Sequence, residues 1–321
     1  MSTLYLDRKD LCLKLDSHCL ALYEQGQKKG TIPFRLLEKI VVRGNVQLET
    51  RLLCALGEHK IDVLLLSGRN NQRRTMSFSH SHNDVKRRLA QYQGYFMPAE
   101  QLQLARQLVL HKIINQHRFL TQTLPQRPDQ RHALFSAINS ISAIVQKLEA
   151  LNTGGCSLAQ LRGYEGAAAA TYFAAYTRLF PPSLNFNKRN KRPPKDPVNA
   201  CLSLAYTLLH FEAVTVCRAA GLEPLLGFYH EPAFGRESLA CDLIEPLRPR
   251  LDAFVWMLFR ERQLRNDHFA EDDSRCLLNK AGRKCFYAQY EIFVRPLRRL
   301  LRFYAHQLAN SFLQREWELP L

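Results

Sequence analysis

"NDVKRRLAQYQGYF", residues 83–96, is where the chain changes period, and its reading decides the fold. The segment is amphipathic at helical spacing. So are "AEQLQLARQLVLHKIINQHRFLTQTL" (99–124) and "DQRHALFSAINSISAIVQKLEALN" (129–152), with Gly or Pro separating them. Upstream the pattern is different. Leu4 and Leu6 alternate with their neighbours, as do Leu11, Leu13 and Leu15, and Leu20 and Leu22 follow. "EQGQKKGTIP" (24–33) is turn-like, "EKIVVRG" (38–44) strand-like, and "QLETRLLCALGEHK" (47–60) helical. "IDVLLLSG" (61–68) is a short apolar run of buried-strand type, and "TMSFS" (75–79) adds a short strand. The expected fold is α+β: a mainly-β domain over residues 1–84, then an all-α domain over 85–321.

Further along, "SLAQL" (157–161) opens with a capping box, Ser157 with Gln160. The irregular "PPSLNFNKRNKRPPKDP" (181–197) cannot be a regular helix. Asp196 can cap, and Pro197 can begin, a helix through "VNACLSLAYTLLHFEAVTVCRAAG" (198–221). "DAFVWMLFRERQ" (252–263) and "FVRPLRRLLRFYAHQLANSFLQ" (293–314) complete the helical half.

Lys and Arg number 45 against 29 Asp and Glu, a formal charge of +16, which favours a polyanionic partner, nucleic acid above all. No uninterrupted apolar run approaches the ~20 residues of a membrane span, and "MSTLYLDRKD" lacks the apolar core of a signal peptide. The nine cysteines form no CxxC pair. Reduced thiols in the cytoplasm, with no membrane partner, are the expectation.

Three acids and a histidine stand out. Glu165, in "LRGYEGAAAATYFAAY" (161–176), is placed at the first turn of a helix, where negative charge suits the helix dipole. Its flanking glycines would let a second element come close. His230 ends "GLEPLLGFYHEP" (221–232), before a Pro and Gly loop. Asp242 and Glu245 lie in "SLACDLIEPLRP" (238–249), spaced to share one helical face. Two carboxylates and an imidazole meeting in space would suit Mg²⁺ or Mn²⁺. Taken singly, each also has a structural explanation: a helix start, a turn histidine, a solvated acid pair. The basic run from Lys188 to Lys195 is either a solvated linker or a contact for phosphate.

These segments resemble the CRISPR-associated integrase family, the enzymes of spacer acquisition in antiviral defence. "GYEGAAAATYF" looks like that family's acidic helix, and "KRPPKDPVNACLSLAYTLL" like its basic loop and following helix. "GLEPLLGFYHEPAFGRESLACDLIEPLRP" is similar to its histidine and aspartate segment throughout, and "IPFRLLEKIVVRG" and "AGRKCFYAQYE" also match. The resemblance implies a β domain followed by a helical domain, a homodimer, and assembly with the small second adaptation protein (Cas-two) around DNA. It implies Glu165, His230 and Asp242 as catalytic metal ligands for Mg²⁺ or Mn²⁺, with Glu245 as a neighbouring acid. Pro246 is expected to bend the helix there and make the placement of Glu245 less secure than that of Asp242. Lys188, Arg189, Lys191, Arg192, Lys195, Asn199, Tyr206 and Arg248 would be supporting or DNA-contacting positions. The implied activity is metal-dependent integration by 3′-hydroxyl attack on a backbone phosphate. A nuclease that does not join, and a non-catalytic nucleic-acid scaffold, remain the alternatives.

Overall fold

The computed structural model describes residues 2–8, 10–67, 73–77, 82–151, 156–190, 193–272 and 275–314. Lys191 and Arg192 lie outside the described residues. The chain divides into two compact units, Met1–Ser81 and His82–Leu321.

The first unit is mainly β. Along the chain come β1 (Ser2–Leu6), β2 (Leu11–Asp16), β3 (Cys19–Glu24), β4 (Gln27–Pro33), β5 (Leu37–Arg43), β6 (Val46–Leu48), α1 (Thr50–Glu58), β7 (Asp62–Ser67) and β8 (Arg73–Ser77). One sheet has the order β1-β5-β7-β8, its first three strands parallel and β8 antiparallel. Strand β5 has parallel neighbours on both sides, and Ile40, Val41 and Val42 are consecutively buried, as a strand covered on both faces requires. The other sheet is a β2-β3-β4 meander with β6 parallel to β2. The segment 24–33 is therefore more than a turn. Only Gln25 and Gly26, with φ of 51° and 78°, make the reversal, as a type I′ hairpin needs, and Gln27–Pro33 is strand. Leu52 and Leu56, one turn apart on α1, pack with Leu11, Leu13 and Ile40 in the core of this unit.

The second unit is mostly helical: α2 (Val85–Tyr95), α3 (Pro98–Thr123), α4 (Arg131–Ala150), α5 (Leu158–Thr177), α6 (Pro197–Ala219), α7 (Ser238–Ile244), α8 (Arg248–Arg260) and α9 (Lys280–Gln314). It also holds a two-stranded ribbon, β9 (Phe269–Asp272) with β10 (Arg275–Leu278), which the helical period did not announce. Cys276 N donates to Pro194 O at 2.8 Å, so the ribbon braces the end of the basic loop.

Helix α6 is the spine of this unit. By length and mean composition it could cross a membrane, but 78% of the qualifying window is buried. Its Glu212 is ion-paired with Arg298 of α9 at 2.9 Å, so it is a core helix. It starts as expected, with the Asp196 side chain accepting from Asn199 N and Pro197 in the first turn. It ends in a Schellman motif: Gly221 has φ 80°, Gly221 N donates to Arg218 O, and Leu222 N donates to Cys217 O. That turn launches the loop that carries His230. The loop is held by the buried Gln91, whose amide bonds Glu223 N, Glu223 O and Leu226 O.

Candidate active site

A cleft of about 530 Å³ opens in the helical unit, lined by α3, α5, the basic loop, α6, the His230 loop and the segment Glu245–Asp252. Glu165, His230 and Glu245 all face it, beside Lys112, Arg189, Tyr206 and Arg248. Asp242 does not line it.

Glu165 arrives from α5, whose capping box is formed as expected, Gln160 N donating to Ser157 Oγ at 3.2 Å and Ser157 N to Gln160 Oε1 at 2.9 Å. The helix runs unbroken from Leu158, which puts Glu165 about two turns inside it rather than in its first turn. Helix-dipole stabilisation, which fades within the first turn, is not what places this acid. Nor are its flanking glycines needed for a close approach: a Cβ on Gly163 or Gly166 would meet nothing within 4 Å. The acid is held by Lys112, which bonds Glu165 Oε1 and lies 2.6 Å from Glu245 Oε2.

Lys112 went unrecognised in the sequence. It sits on α3 between Leu108 and Gln116, one turn either way, on a face that is otherwise buried. A lysine interrupting such a face was the available signal. Among the described residues, no group of His, Cys, Asp and Glu is gathered tightly enough to grip an ion as it stands. The Lys112 ammonium occupies the centre between the two carboxylates instead.

Asp242, expected as a metal ligand, is built into the His230 loop. Its carboxylate is 1% exposed. Oδ2 accepts from Phe228 N at 2.6 Å and Tyr229 N at 3.0 Å, and Oδ1 accepts from His230 N at 3.0 Å. The same Oδ1 is 2.7 Å from His230 Nδ1. With its lone pairs so engaged in this structure, Asp242 builds the loop and orients the imidazole, leaving Nε2 toward the cleft. Gly227 makes room for this, since a Cβ there would lie 2.8 Å from Asp242 Oδ2 and 2.7 Å from His230 O.

Glu245, expected to be the less secure acid, is the one that enters the cleft. Helix α7 ends at Ile244, and Glu245 begins a single 3-10 turn to Leu247, so the two acids do not continue on one α-helical face. Glu245 Oε1 lies 3.8 Å from His230 Nε2 and 2.9 Å from Arg248 Nε. Burial pushes its carboxyl upward, but the Arg248 and Lys112 cations outweigh burial and hold it at about 2.

The donor set suits a hard divalent cation: two carboxylates and one imidazole nitrogen. Asp242 behind His230 completes a carboxylate–histidine arrangement of the kind that orients metal-binding imidazoles.

Two arginines stand beside the acids in the cleft. Arg189 and Arg248 lie on Tyr206, their guanidinium carbons 5.4 and 4.9 Å from the ring centroid. Tyr206 is fixed by its hydroxyl, which donates to buried Asp252, as does Tyr172 at 2.9 Å. Burial raises the Asp252 carboxyl to about 6 against the pull of those hydroxyls and the two arginines. Among the described residues, Arg189 hydrogen-bonds only neutral groups, including Asn199 Oδ1 at 2.6 Å and Ser203 Oγ at 3.3 Å. Burial lowers its pKa, which marks a cation poorly compensated within the chain. Asn199 itself is wholly buried and also bonds Lys188 O and Asp196 Oδ2. It organises the basic loop and does not itself reach solvent. Lys188 and Lys195 are exposed.

The family model for CRISPR-associated protein Cas1 matches residues 4–292. A CRISPR-associated endonuclease Cas1 of Thermodesulfovibrio yellowstonii is 39% identical over 316 residues, covering 98% of both chains. The structure of a Cas1 protein from Thermotoga maritima superposes with a TM-score of 0.82 at 25% identity, over 98% of this chain and 97% of that one. A casposase bound to integration product shares the fold, with a TM-score of 0.84 at 20% identity over 99% and 92% of the two chains.

Proposed function

The chain belongs to the CRISPR-associated Cas1 family, and from that premise we propose that it is a metal-dependent DNA integrase. The reaction is attack by the 3′-hydroxyl of a DNA fragment on a backbone phosphate at the edge of a repeat. One P–O bond forms as another breaks, so the number of phosphodiesters is conserved. The attacking hydroxyl gives up a proton and the displaced 3′-oxygen takes one.

The observation that carries this reading is one cleft in which Glu165, Glu245 and His230 stand beside two arginines that lie on a tyrosine. Glu165, Glu245 and His230 Nε2 would hold Mg²⁺ or Mn²⁺, which when bound supplies charge for the phosphate oxygens and acidifies the attacking hydroxyl. Asp242 holds the imidazole in place from behind. Arg189 and Arg248 bind the phosphate, and Tyr206 keeps both guanidinium groups aimed. Phosphoryl transfer needs positioning and charge stabilisation above all, and these residues supply both. The chain works as a homodimer with the small second adaptation protein, and surface lysines such as Lys188 and Lys195 contribute contacts to the duplex backbone.

The test is a strand-transfer assay with labelled donor DNA ending in 3′-hydroxyl or 3′-deoxy, with and without the second adaptation protein. Joined product from the hydroxyl donor alone supports integration. Cleaved target with no joined product supports the nuclease alternative.

A further inference from the structure

Beside the cleft, the segment between His230 and α7 turns back on itself. Arg236 N donates to Ala233 O at 3.0 Å, closing a β-turn in which Gly235 has φ 69°, the positive value a type II turn needs at that position. The base is tied down on both sides. Arg236 donates to Glu231 O and to Ser238 Oγ at 3.2 Å, Ser238 Oγ donates to Glu231 O at 3.1 Å, and Glu231 is ion-paired with Arg162 at 2.7 Å. Glu231 and Arg236 both line the cleft. At the apex stands Phe234, exposed to 110% and the most exposed large apolar side chain among the described residues.

A single surface phenylalanine ordinarily needs no explanation. This one is presented by a turn that five polar contacts hold in place, at the rim of a cleft rich in arginine. An aromatic face next to guanidinium groups is complementary to a single nucleic-acid strand, whose phosphates take the charges and whose unpaired bases offer flat faces. Within a duplex those faces are covered by neighbouring pairs. We propose that Phe234 is a stacking platform for an unpaired nucleobase of the DNA strand that enters the cleft. The proposal rests on the nucleic-acid reading of the cleft and adds to it a residue that meets a base.

The experiment compares the full chain with Phe234→Ala and Phe234→Trp, without divalent ions and at one fixed salt concentration. Two probes are used: a blunt duplex, and the same duplex with a short 3′ tail carrying 2-aminopurine. Base–aromatic stacking of about 1–3 kcal/mol predicts that Phe234→Ala binds the tailed probe about 5–150-fold more weakly, with blunt-duplex affinity changed less than about twofold. Phe234→Trp should keep the affinity and quench 2-aminopurine, while Phe234→Ala should leave it bright. The side chain touches no core, so folding is not in question. Equal loss on both probes, or no loss on either, overturns the stacking assignment, including the case in which Phe234 meets a protein instead. Failure of the unmodified chain to bind either probe overturns the nucleic-acid reading, and this assignment with it.

Discussion

Asp242 Oδ1 lies 2.7 Å from His230 Nδ1, and the same carboxylate takes three backbone N–H groups of the loop that carries that histidine. One side chain thus fixes both the path of the loop and the direction of the ring. Replacing it removes structure before it removes chemistry. In Asp242→Asn, an NH₂ must face N–H donors whichever way the amide is turned. Each donor left unpaired costs about 1–3 kcal/mol. The expected result is a lower midpoint in chemical denaturation together with loss of strand transfer.

Glu165→Gln should separate the two effects. Its side chain is partly open to the cleft, at 22% exposure, and holds no backbone. Strand transfer should fall by several orders of magnitude while the denaturation midpoint hardly moves. Combining Glu165→Gln with His230→Ala should be no worse than the poorer single variant, as for groups that act as a unit. Additive losses would show that the two do not serve one site.

Lys112→Met keeps the length of the side chain and removes its charge. Glu165 and Glu245 would then face each other with no cation between them, and uncoupling a buried ion pair costs about 3–5 kcal/mol. The metal-free variant should unfold at lower temperature than the parent, and Mn²⁺ should raise its melting temperature more than the parent's. Equal Mn²⁺ shifts in the two proteins would mean that the ammonium and the ion do not share a place.

Two carboxyls give opposite pH signatures. Glu245 is depressed from 4.5 to about 2, so its stabilisation is present above 4.5 and is lost as pH falls toward 2. Asp252 is raised from 3.8 to about 6, so its burial destabilises the fold progressively as pH rises from 3.8 through 6. That second effect amounts to roughly 3 kcal/mol at most. Asp252→Asn should flatten the decline in stability between about pH 4 and 7, measured by urea denaturation. An unchanged slope would assign the decline to other groups.

If the basic excess binds DNA backbone, affinity should drop by about 10³–10⁵-fold between about 50 and 200 mM salt, as for proteins with about 6–10 phosphate contacts. Arg189→Ala should weaken binding to unrelated sequences by similar factors, because phosphate contacts carry no base information. Fluorescence anisotropy across a salt series reads both.

The parts of this molecule written in adjacent residues were legible. The capping box at Ser157 and the Asp196–Pro197 helix start depend on side chains within three positions of one another, and both are present. The α+β division followed from a change of hydrophobic period at Asn83. What could not be read locally was the facing of single side chains. Which acid of the Asp242–Glu245 pair enters the cleft is decided by a loop 12 to 14 positions away that claims Asp242. The partner of Glu165 is 53 positions distant on another helix. The depth of Glu165 in α5 is hidden because its glycines suggest a boundary, where the helix runs on through them.

Gly227 carries no functional group, takes no part in the proposed reaction, and would pass for a neutral loop position in a survey of reactive residues. Yet one added methyl would press on Asp242 Oδ2 and on His230 O at once. In a saturation-mutagenesis screen scored for acquisition of new spacers, tolerance at Gly227 should therefore fall to that of Glu165 and His230. Gly163 and Gly166, open on every side, should accept alanine freely. The alleles that look most innocent by chemistry would include some of the most severe.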